Sequence, residues 1–285
     1  GRADGGAGND TITVDQGQTG DVRGGDGDDV ISILNTAYHV YGDDSYEGAG
    51  DDTVIVQGLW NYLSEVYLGG GNDSLDLSDW EGDLSETRSY YGEAGDDIYI
   101  GRDVNKTNNN YDVFYAGEGF DTLTGGAAAE KLYGQGDDDQ ISGNGGNDQL
   151  FGGDGSDTLD GGDGADILNG GDRADQLTGG AGQDIFVYNS RYDGGDIITD
   201  FTAGEGGDLL DFRPMFESLG YDGADPFGEG WLQLEQSGDD LLIKLDRNGG
   251  GDGYTDTLVT LTSVQLGSFV TQNALPAGPL SNDPV

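Results

Sequence analysis

Residues 116–187 read AGEGFDTLT GGAAAEKLY GQGDDDQIS GNGGNDQLF GGDGSDTLD GGDGADILN GGDRADQLT GGAGQDIFV, eight consecutive rows of nine without an insertion. The sixth column is Asp121, Glu130, Asp139, Asp148, Asp157, Asp166, Asp175 and Asp184, and the eighth is Leu123, Leu132, Ile141, Leu150, Leu159, Leu168, Leu177 and Phe186. Glycines in the first, second and fourth columns let the backbone turn tightly. The residues after the acid then form a short strand with one inward aliphatic side chain. One row cannot bury that side chain alone. Two rows make a coil of about 18 residues with a strand on each side, and stacked coils bury a continuous ladder with strands about 4.8 Å apart. The pattern predicts an all-β fold, a parallel β-roll or solenoid.

Stacking sorts the acids onto two edges. Positions 121, 139, 157 and 175 fall on one edge and 130, 148, 166 and 184 on the other. Carboxylates one coil apart lie within about 5 Å and repel strongly. A hard divalent cation between them, also held by turn carbonyls, removes that penalty. An oxygen-only ligand set with no His or Cys suits Ca²⁺ rather than zinc or copper.

The N-terminal half follows the same rule when read one coil at a time. Turns begin at Gly5 (GGAGNDTIT), Gly24 (GGDGDDVIS), Glu47 (EGAGDDTVI), Leu68 (LGGGNDSLD) and Gly92 (GEAGDDIYI), spaced by 19, 23, 21 and 24 residues. One edge therefore runs through Asp10, Asp29, Asp52, Asp73, Asp97, Asp121, Asp139, Asp157 and Asp175, while loops such as 33–46, 77–91 and 101–115 replace the other. This predicts about nine coils and a rod of roughly 40 Å. Three regions follow: N-terminal coils with one irregular loop edge over 1–115, the regular block 116–187, and a distinct C-terminal region over 188–285.

Composition agrees with a cation-bound fold. The chain has 285 residues, 56 of them acidic and 11 basic, a formal net charge of −45. Phosphate repels such a surface, which argues against nucleic acid as a partner, and anionic lipid is disfavoured for the same reason. Cysteine is absent, so metal is the remaining staple. No apolar run approaches the roughly 18 residues a membrane helix needs, so no membrane insertion is expected. The chain opens at Gly1 with no signal peptide, which reads as a C-terminal piece of a longer protein. The lone His39 has no His or Cys companion for a catalytic metal site or a nucleophile triad, and no enzyme signature is present.

The row GGDGSDTLDGGDGADIL resembles the repeats-in-toxin (RTX) nonapeptide G-G-x-G-x-D-x-U-x, a repeat known for a parallel β-helix that binds calcium. The resemblance covers most of 5–187. It implies multiple Ca²⁺ ions held by the sixth-column acids Asp10, Asp29, Asp52, Asp73, Asp97, Asp121, Asp139, Asp148, Asp157, Asp166, Asp175 and Asp184. It also implies ligation by turn carbonyls of the glycine pairs Gly6 and Gly8, Gly25 and Gly27, Gly153 and Gly155, Gly162 and Gly164, and Gly180 and Gly182. Ala128 with Glu130, Asp137, and Arg173 depart from the pattern, and Arg173 sets a guanidinium where a glycine belongs.

Residues 182–212 and 231–264 look like the type I secretion target domain that follows RTX arrays. The resemblance implies export by the type I secretion machinery, an extracellular or cell-surface location, and folding after exit. The strand patterns Trp231–Leu234, Leu241–Leu245 and Leu258–Leu261, with a short helix near 213–219, predict a β-rich cap over the end of the roll. The oxygen-rich loop Asp246–Asp252 reads equally as a calcium loop or a plain turn.

Sites in extracellular calcium modules have dissociation constants of about 10⁻⁴–10⁻³ M. At millimolar Ca²⁺ each adds roughly 1–2 kcal/mol, and at submicromolar Ca²⁺ that term vanishes while self-repulsion remains. A fold switch between the two conditions follows. The ninth column, Tyr46, Tyr67, Tyr91, Tyr115, Tyr133 and Phe151, predicts an outward aromatic ladder. It serves cross-strand stabilisation or a surface for glycan or another copy of the chain. Trp60, Trp80, Tyr38 and Tyr62 predict a small core under the N-terminal loops. The functional reading is a calcium-binding module that folds after secretion and caps a passenger. Its alternatives are a self-assembling adhesin or surface-layer unit, and the non-catalytic module of a secreted protease, lipase or alginate epimerase.

Overall fold

The computed structural model describes residues 2–15, 20–34, 37–43, 50–58, 63–81, 87–103, 111–221, 225–246, 253, 256–269 and 273–275. Among these, two long sheets of twelve and thirteen strands lie side by side, and the chain alternates between them strand by strand as far as Leu209–Asp211. Within each sheet the neighbours along the roll are parallel and one coil apart, as Leu132↔Leu150 and Ile141↔Leu159 show. This is the expected parallel β-roll.

The eighth column faces inward from both sheets. One sheet contributes Val22, Val40, Val66, Tyr90, Phe114, Leu132, Leu150, Leu168, Phe186 and Leu210, all buried. The other contributes Ile31, Val54, Leu75, Tyr99, Leu123, Ile141, Leu159, Leu177 and Ile198, equally buried. The inward residues are aliphatic in the regular block and aromatic in mid-roll, where Tyr99 stacks on Phe114 at 4.7 Å between ring centroids. Burial of this ladder is the main apolar driving force of the fold.

Segments 33–46, 77–91 and 101–115 are only partly loop. Each ends by returning the chain to the first sheet, through His39–Tyr41, Arg88–Ala94 and Asp112–Glu118. The roll also continues past residue 187. Asp196–Ile198 pairs with Gln176–Ala181, and Leu209–Asp211 pairs with Ile185–Val187. Rows 191–199 and 203–211 thus supply a further coil.

Beyond it, the helix Arg213–Ser218 starts with proline in its first turn and buries Met215 and Phe216. Proline is tolerated there because the first helical N–H has no intrahelical partner. The second sheet ends on Asp256–Leu261, Asp240–Leu245 and Leu232–Ser237, the last two paired antiparallel across a tight turn. The expected strands and helix are present. Residues 247–252 of the oxygen-rich loop, and Trp60, Tyr62 and Tyr46, lie outside the described residues. Among the described residues no helix is long and apolar enough to cross a membrane.

Candidate metal centre

The turns that lead from the first sheet to the second form a forward edge, and those that lead back form a return edge. On both, each sixth-column N–H donates to the carboxylate of the next coil. Along the forward edge Asp10 donates to Asp29 at 2.7 Å, Asp29 to Asp52 at 2.8 Å, and Asp52 to Asp73 at 2.7 Å. The series continues through Asp97, Asp121, Asp139, Asp157 and Asp175. On the return edge Glu130 donates to Asp148 at 2.7 Å, Asp148 to Asp166 at 2.8 Å, and Asp166 to Asp184 at 2.9 Å.

Each carboxylate therefore spends Oδ1 on a backbone N–H. The second oxygen is left over. Oδ2 of Asp29, Asp52, Asp73, Asp97, Asp121, Asp139, Asp148, Asp157, Asp166, Asp175 and Asp184 is buried with no hydrogen-bond partner among the described residues. Only Asp10, on the outermost coil, escapes full burial. A buried carboxylate oxygen without a partner carries a large desolvation cost.

What faces these oxygens is another acceptor. The position a Cβ would take on Gly161 lies 2.6 Å from Asp166 Oδ2 and 2.5 Å from Gly179 O. On Gly143 it lies 2.5 Å from Asp148 Oδ2 and 2.6 Å from Gly161 O. Gly24, Gly42, Gly92 and Gly152 repeat the arrangement. Carboxylate and carbonyl oxygens converge where no donor exists, and any side chain on the first-column glycine would fill the cradle. Hard cations with oxygen ligands, calcium foremost, fit that donor set. Among the described residues no three His, Cys, Asp or Glu side chains gather for a metal, so each site would combine carboxylates with main-chain carbonyls.

The glycines expected as ligands are placed differently from those whose carbonyls face Oδ2. Gly6, Gly8, Gly25, Gly27, Gly153, Gly162, Gly180 and Gly182 all have positive φ, from 93° at Gly180 to 149° at Gly182. In the stack Gly25 lies against Gly6 O, Gly155 against Asp137 O, Gly164 against Gly146 O and Gly182 against Gly164 O. The departures Asp137 and Arg173 keep the left-handed backbone at φ of 69° and 89°. Asp175 next to Arg173 retains the same buried Oδ2 as its neighbours.

Burial pushes the ladder carboxyls upward, opposed by the backbone N–H bond each accepts. Asp52, Asp97 and Asp139 reach about 8, Asp148 about 9, and Asp73 and Asp175 about 7. Asp121, Asp157 and Asp166 reach about 6, and Asp29 and Asp184 are raised. A bound divalent cation supplies the positive charge that holds such groups ionised.

Three features were not foreseen. The ladders run one rung further, because Asp175 donates to Asp196 at 3.0 Å and Asp184 to Asp208 at 3.1 Å. The row AGEGGDLLD over 203–211 carries that signal but is displaced by the preceding insertion. A second ladder runs outside the first in column five. Asn72 N–H donates to Asp51 at 2.9 Å, Asp96 to Asn72 at 2.9 Å, and Phe120 to Asp96 at 2.9 Å. Its signal is the Asn or Asp that precedes the sixth-column acids at Asn9, Asp28, Asp51, Asn72, Asp96, Asp138 and Asn147.

The third lies on the return edge of the N-terminal half. Arg88, Asp112 and Glu130 are in register in the column that becomes Asp148 onward. There the fully buried Arg102 pairs with Asp112, with Nε to Oδ2 at 2.7 Å. Both Arg102 and Arg88 stack on buried Trp80, at 4.6 and 5.0 Å. Trp80 thus sits in a core as expected, whereas Tyr38 is exposed.

The aromatic ladder is present with one correction. Its first ring is Tyr41, which pairs in register with Tyr67, because the first column of that turn is Gly42 and the insertion follows it. Tyr41, Tyr67, Tyr91, Tyr115, Tyr133 and Phe151 stack with centroids 4.6–5.3 Å apart. Arg23 covers the outer face of Tyr41 at 4.1 Å. Ring faces are spent on one another, so the strip offers edges and hydroxyls rather than a stacking platform. His39 lies at the surface with Nδ1 2.9 Å from Asp21 Oδ1 and Nε2 3.8 Å from Glu65 Oε2.

Two strands per coil, turns that gather acceptor oxygens, and acids in unbroken register define a parallel β-roll of the calcium-binding type. The family model for the RTX calcium-binding nonapeptide repeat (4 copies) matches residues 2–18, 109–141, 124–159, 133–168 and 160–190. The chain carries RTX calcium-binding nonapeptide repeats. Among solved structures it is similar to the R3 and R2 subunits of AlgE6, a mannuronan C5-epimerase of Azotobacter vinelandii. Identities are 25% and 27%, coverage is 55% of this chain and 92% of each of those, and TM-scores are 0.29 and 0.31. No curated protein matches the chain.

Proposed function

We propose that this chain is a non-catalytic, calcium-dependent module that is exported by a type I system, folds outside the cell, and caps a passenger domain. The observation that carries the calcium step is the series of buried, unpartnered Oδ2 atoms, beside which, at Asp29, Asp52, Asp97, Asp139, Asp148, Asp157 and Asp166, a first-column carbonyl of the next coil also comes close. Column-six acids and first-column carbonyls would hold the ions, and the glycines keep the cradles clear. Without cations, a chain of net charge −45 must bury like charges one coil apart. At the Ca²⁺ level of the cytosol, folding is disfavoured. At extracellular millimolar levels, several sites of roughly 1–2 kcal/mol each reverse the balance.

A closed C-terminal end of the roll is supported by the strands that extend both sheets beyond the last carboxylate rung and by the helix Arg213–Ser218 beside them. Equilibrium dialysis with isotopic calcium tests the calcium step. Several ions should bind per chain in the millimolar range, and binding of none would contradict it.

A further inference from the structure

Calcium binding gives no task to the tyrosines stacked on the outer face of the first sheet. Parallel pairing sets Tyr41 beside Tyr67, Tyr67 beside Tyr91, Tyr91 beside Tyr115 and Tyr115 beside Tyr133. Their ring centroids are 5.3, 4.8, 5.3 and 4.8 Å apart, and successive ring planes differ by only 8–15°. Because the strands are in register, like atoms of neighbouring rings lie over one another at about the strand spacing. The carbon ortho to one hydroxyl therefore faces the carbon ortho to the next. All five rings are half-buried, so the stack shields their faces while edges and hydroxyls reach solvent.

Tyr67 differs from the other rings in its partner. Its hydroxyl donates to Glu65 Oε2 at 3.1 Å, and among the described residues no other tyrosine of the strip donates to a carboxylate. Burial first, and the Glu65 bond second, push this phenol up to about 12. It is neutral near physiological pH and releases its proton only when an electron leaves. Loss of an electron makes a phenol O–H strongly acidic, and a carboxylate already within hydrogen-bond reach takes that proton directly. Tyr67 is thus the ring of the strip most readily converted to a phenoxyl radical. Tyr91, at 4.8 Å against 5.3 Å for Tyr41, is its nearer tyrosine neighbour.

We infer that Tyr67 and Tyr91 form an oxidative cross-linking site, joined by an ortho carbon–carbon bond when the folded roll meets a peroxidase-type oxidant with hydrogen peroxide. Each phenol loses one electron and its O–H proton. The two radicals couple at their ortho carbons, and the ortho hydrogens pass to the oxygens as the rings regain aromaticity. Two electrons and two protons leave in all, and they reduce one hydrogen peroxide to two waters. The bond ties neighbouring coils in a chain that has no cysteine, and such a tie stabilises by constraining the unfolded chain. The inference needs the folded roll, and so rests on the calcium-dependent reading above.

The test is to treat the full chain in millimolar Ca²⁺ with a haem peroxidase and limiting hydrogen peroxide, and to map cross-linked peptides by mass spectrometry. Circular dichroism beforehand establishes the sheet signal. Tyr67–Tyr91 should be the main intramolecular cross-link, several-fold above Tyr115–Tyr133, which has the same 4.8 Å spacing without the carboxylate. Glu65→Gln should bring the two yields level, and Tyr91→Phe should abolish the first. A folded wild type that cross-links only between molecules, or equally at both pairs, overturns the inference and leaves calcium binding intact. A chain with no sheet signal in calcium overturns both. If Glu65→Gln does not fold, the ratio of the two pairs in the wild type decides.

Discussion

The two halves of the return edge solve one electrostatic problem in different ways. From Glu130 to Asp184 the column is an acid in every coil, and each buried aspartate keeps an oxygen that no protein donor reaches. From Arg88 to Asp112 the same column holds a guanidinium and a carboxylate, with Arg102 beside them as a fully buried counter-ion. The first arrangement needs a cation from outside. The second carries its cation in the chain. A roll built from one repeat thus contains rungs that depend on metal and rungs that do not. The forward edge, with orphaned carboxylate oxygens from Asp29 to Asp196, belongs to the first kind.

Breaking the internal pair should have the largest effect of any single change. Arg102→Met removes the guanidinium paired with the fully buried Asp112 and should cost about 3–5 kcal/mol. The loss should be similar at every calcium concentration, as read by denaturant unfolding at two fixed Ca²⁺ levels. Full rescue by added calcium would show that metal can enter this rung after all.

Filling a cradle should act differently. Gly161→Ala places a methyl where Asp166 Oδ2 and Gly179 O converge, so it should remove about one site, roughly 1–2 kcal/mol at millimolar Ca²⁺. Its effect in chelator should be smaller than in calcium. Equal destabilisation under both conditions would mean the methyl acts by clash alone.

The raised carboxyls fix the sign of the pH response. Asp52, Asp97 and Asp139 stand near 8 in the calcium-free fold, against about 3.9 for an unfolded aspartate. Between those values the folded chain binds more protons than the unfolded one. Stability without calcium is therefore greatest below about pH 4 and falls as pH rises toward 8. The β-sheet signal in chelator, read by circular dichroism, should be largest near pH 4 and fall away as pH rises toward 8, and calcium uptake near pH 6 should release protons. A β-sheet signal in chelator that grows with pH would contradict the buried, unpaired state of these groups.

The smallest expected effect is on the aromatic strip. Tyr91→Ala removes two stacked neighbours, Tyr67 and Tyr115, and should cost about 1 kcal/mol without shifting the calcium midpoint of folding by more than that loss explains. A large change in oligomeric state by light scattering would instead mark the strip as an interface.

Much of this was readable in advance, for a physical reason. A solenoid places residues one period apart in contact, so columns of the sequence become columns of the structure. The sixth-column acids and eighth-column aliphatics therefore landed where expected, as Asp148 above Asp166 and Leu150 above Leu168 illustrate. Insertions spoil that reading. The one after Asp43 hid Tyr41 as the first ring of the ladder, and the one before Ala203 hid Asp208 as the last acid. Arg102 and Asp112 are ten residues apart in a segment with no repeat. Their pairing depends on how the loop returns to the sheet, which no column records.

The central claim is that calcium makes this chain fold. Far-UV circular dichroism during a Ca²⁺ titration, with Mg²⁺ as control, tests it most directly. The account predicts a cooperative coil-to-β transition near the millimolar range that magnesium does not reproduce. A full β-sheet signal in chelator at neutral pH, unchanged by calcium, would contradict it.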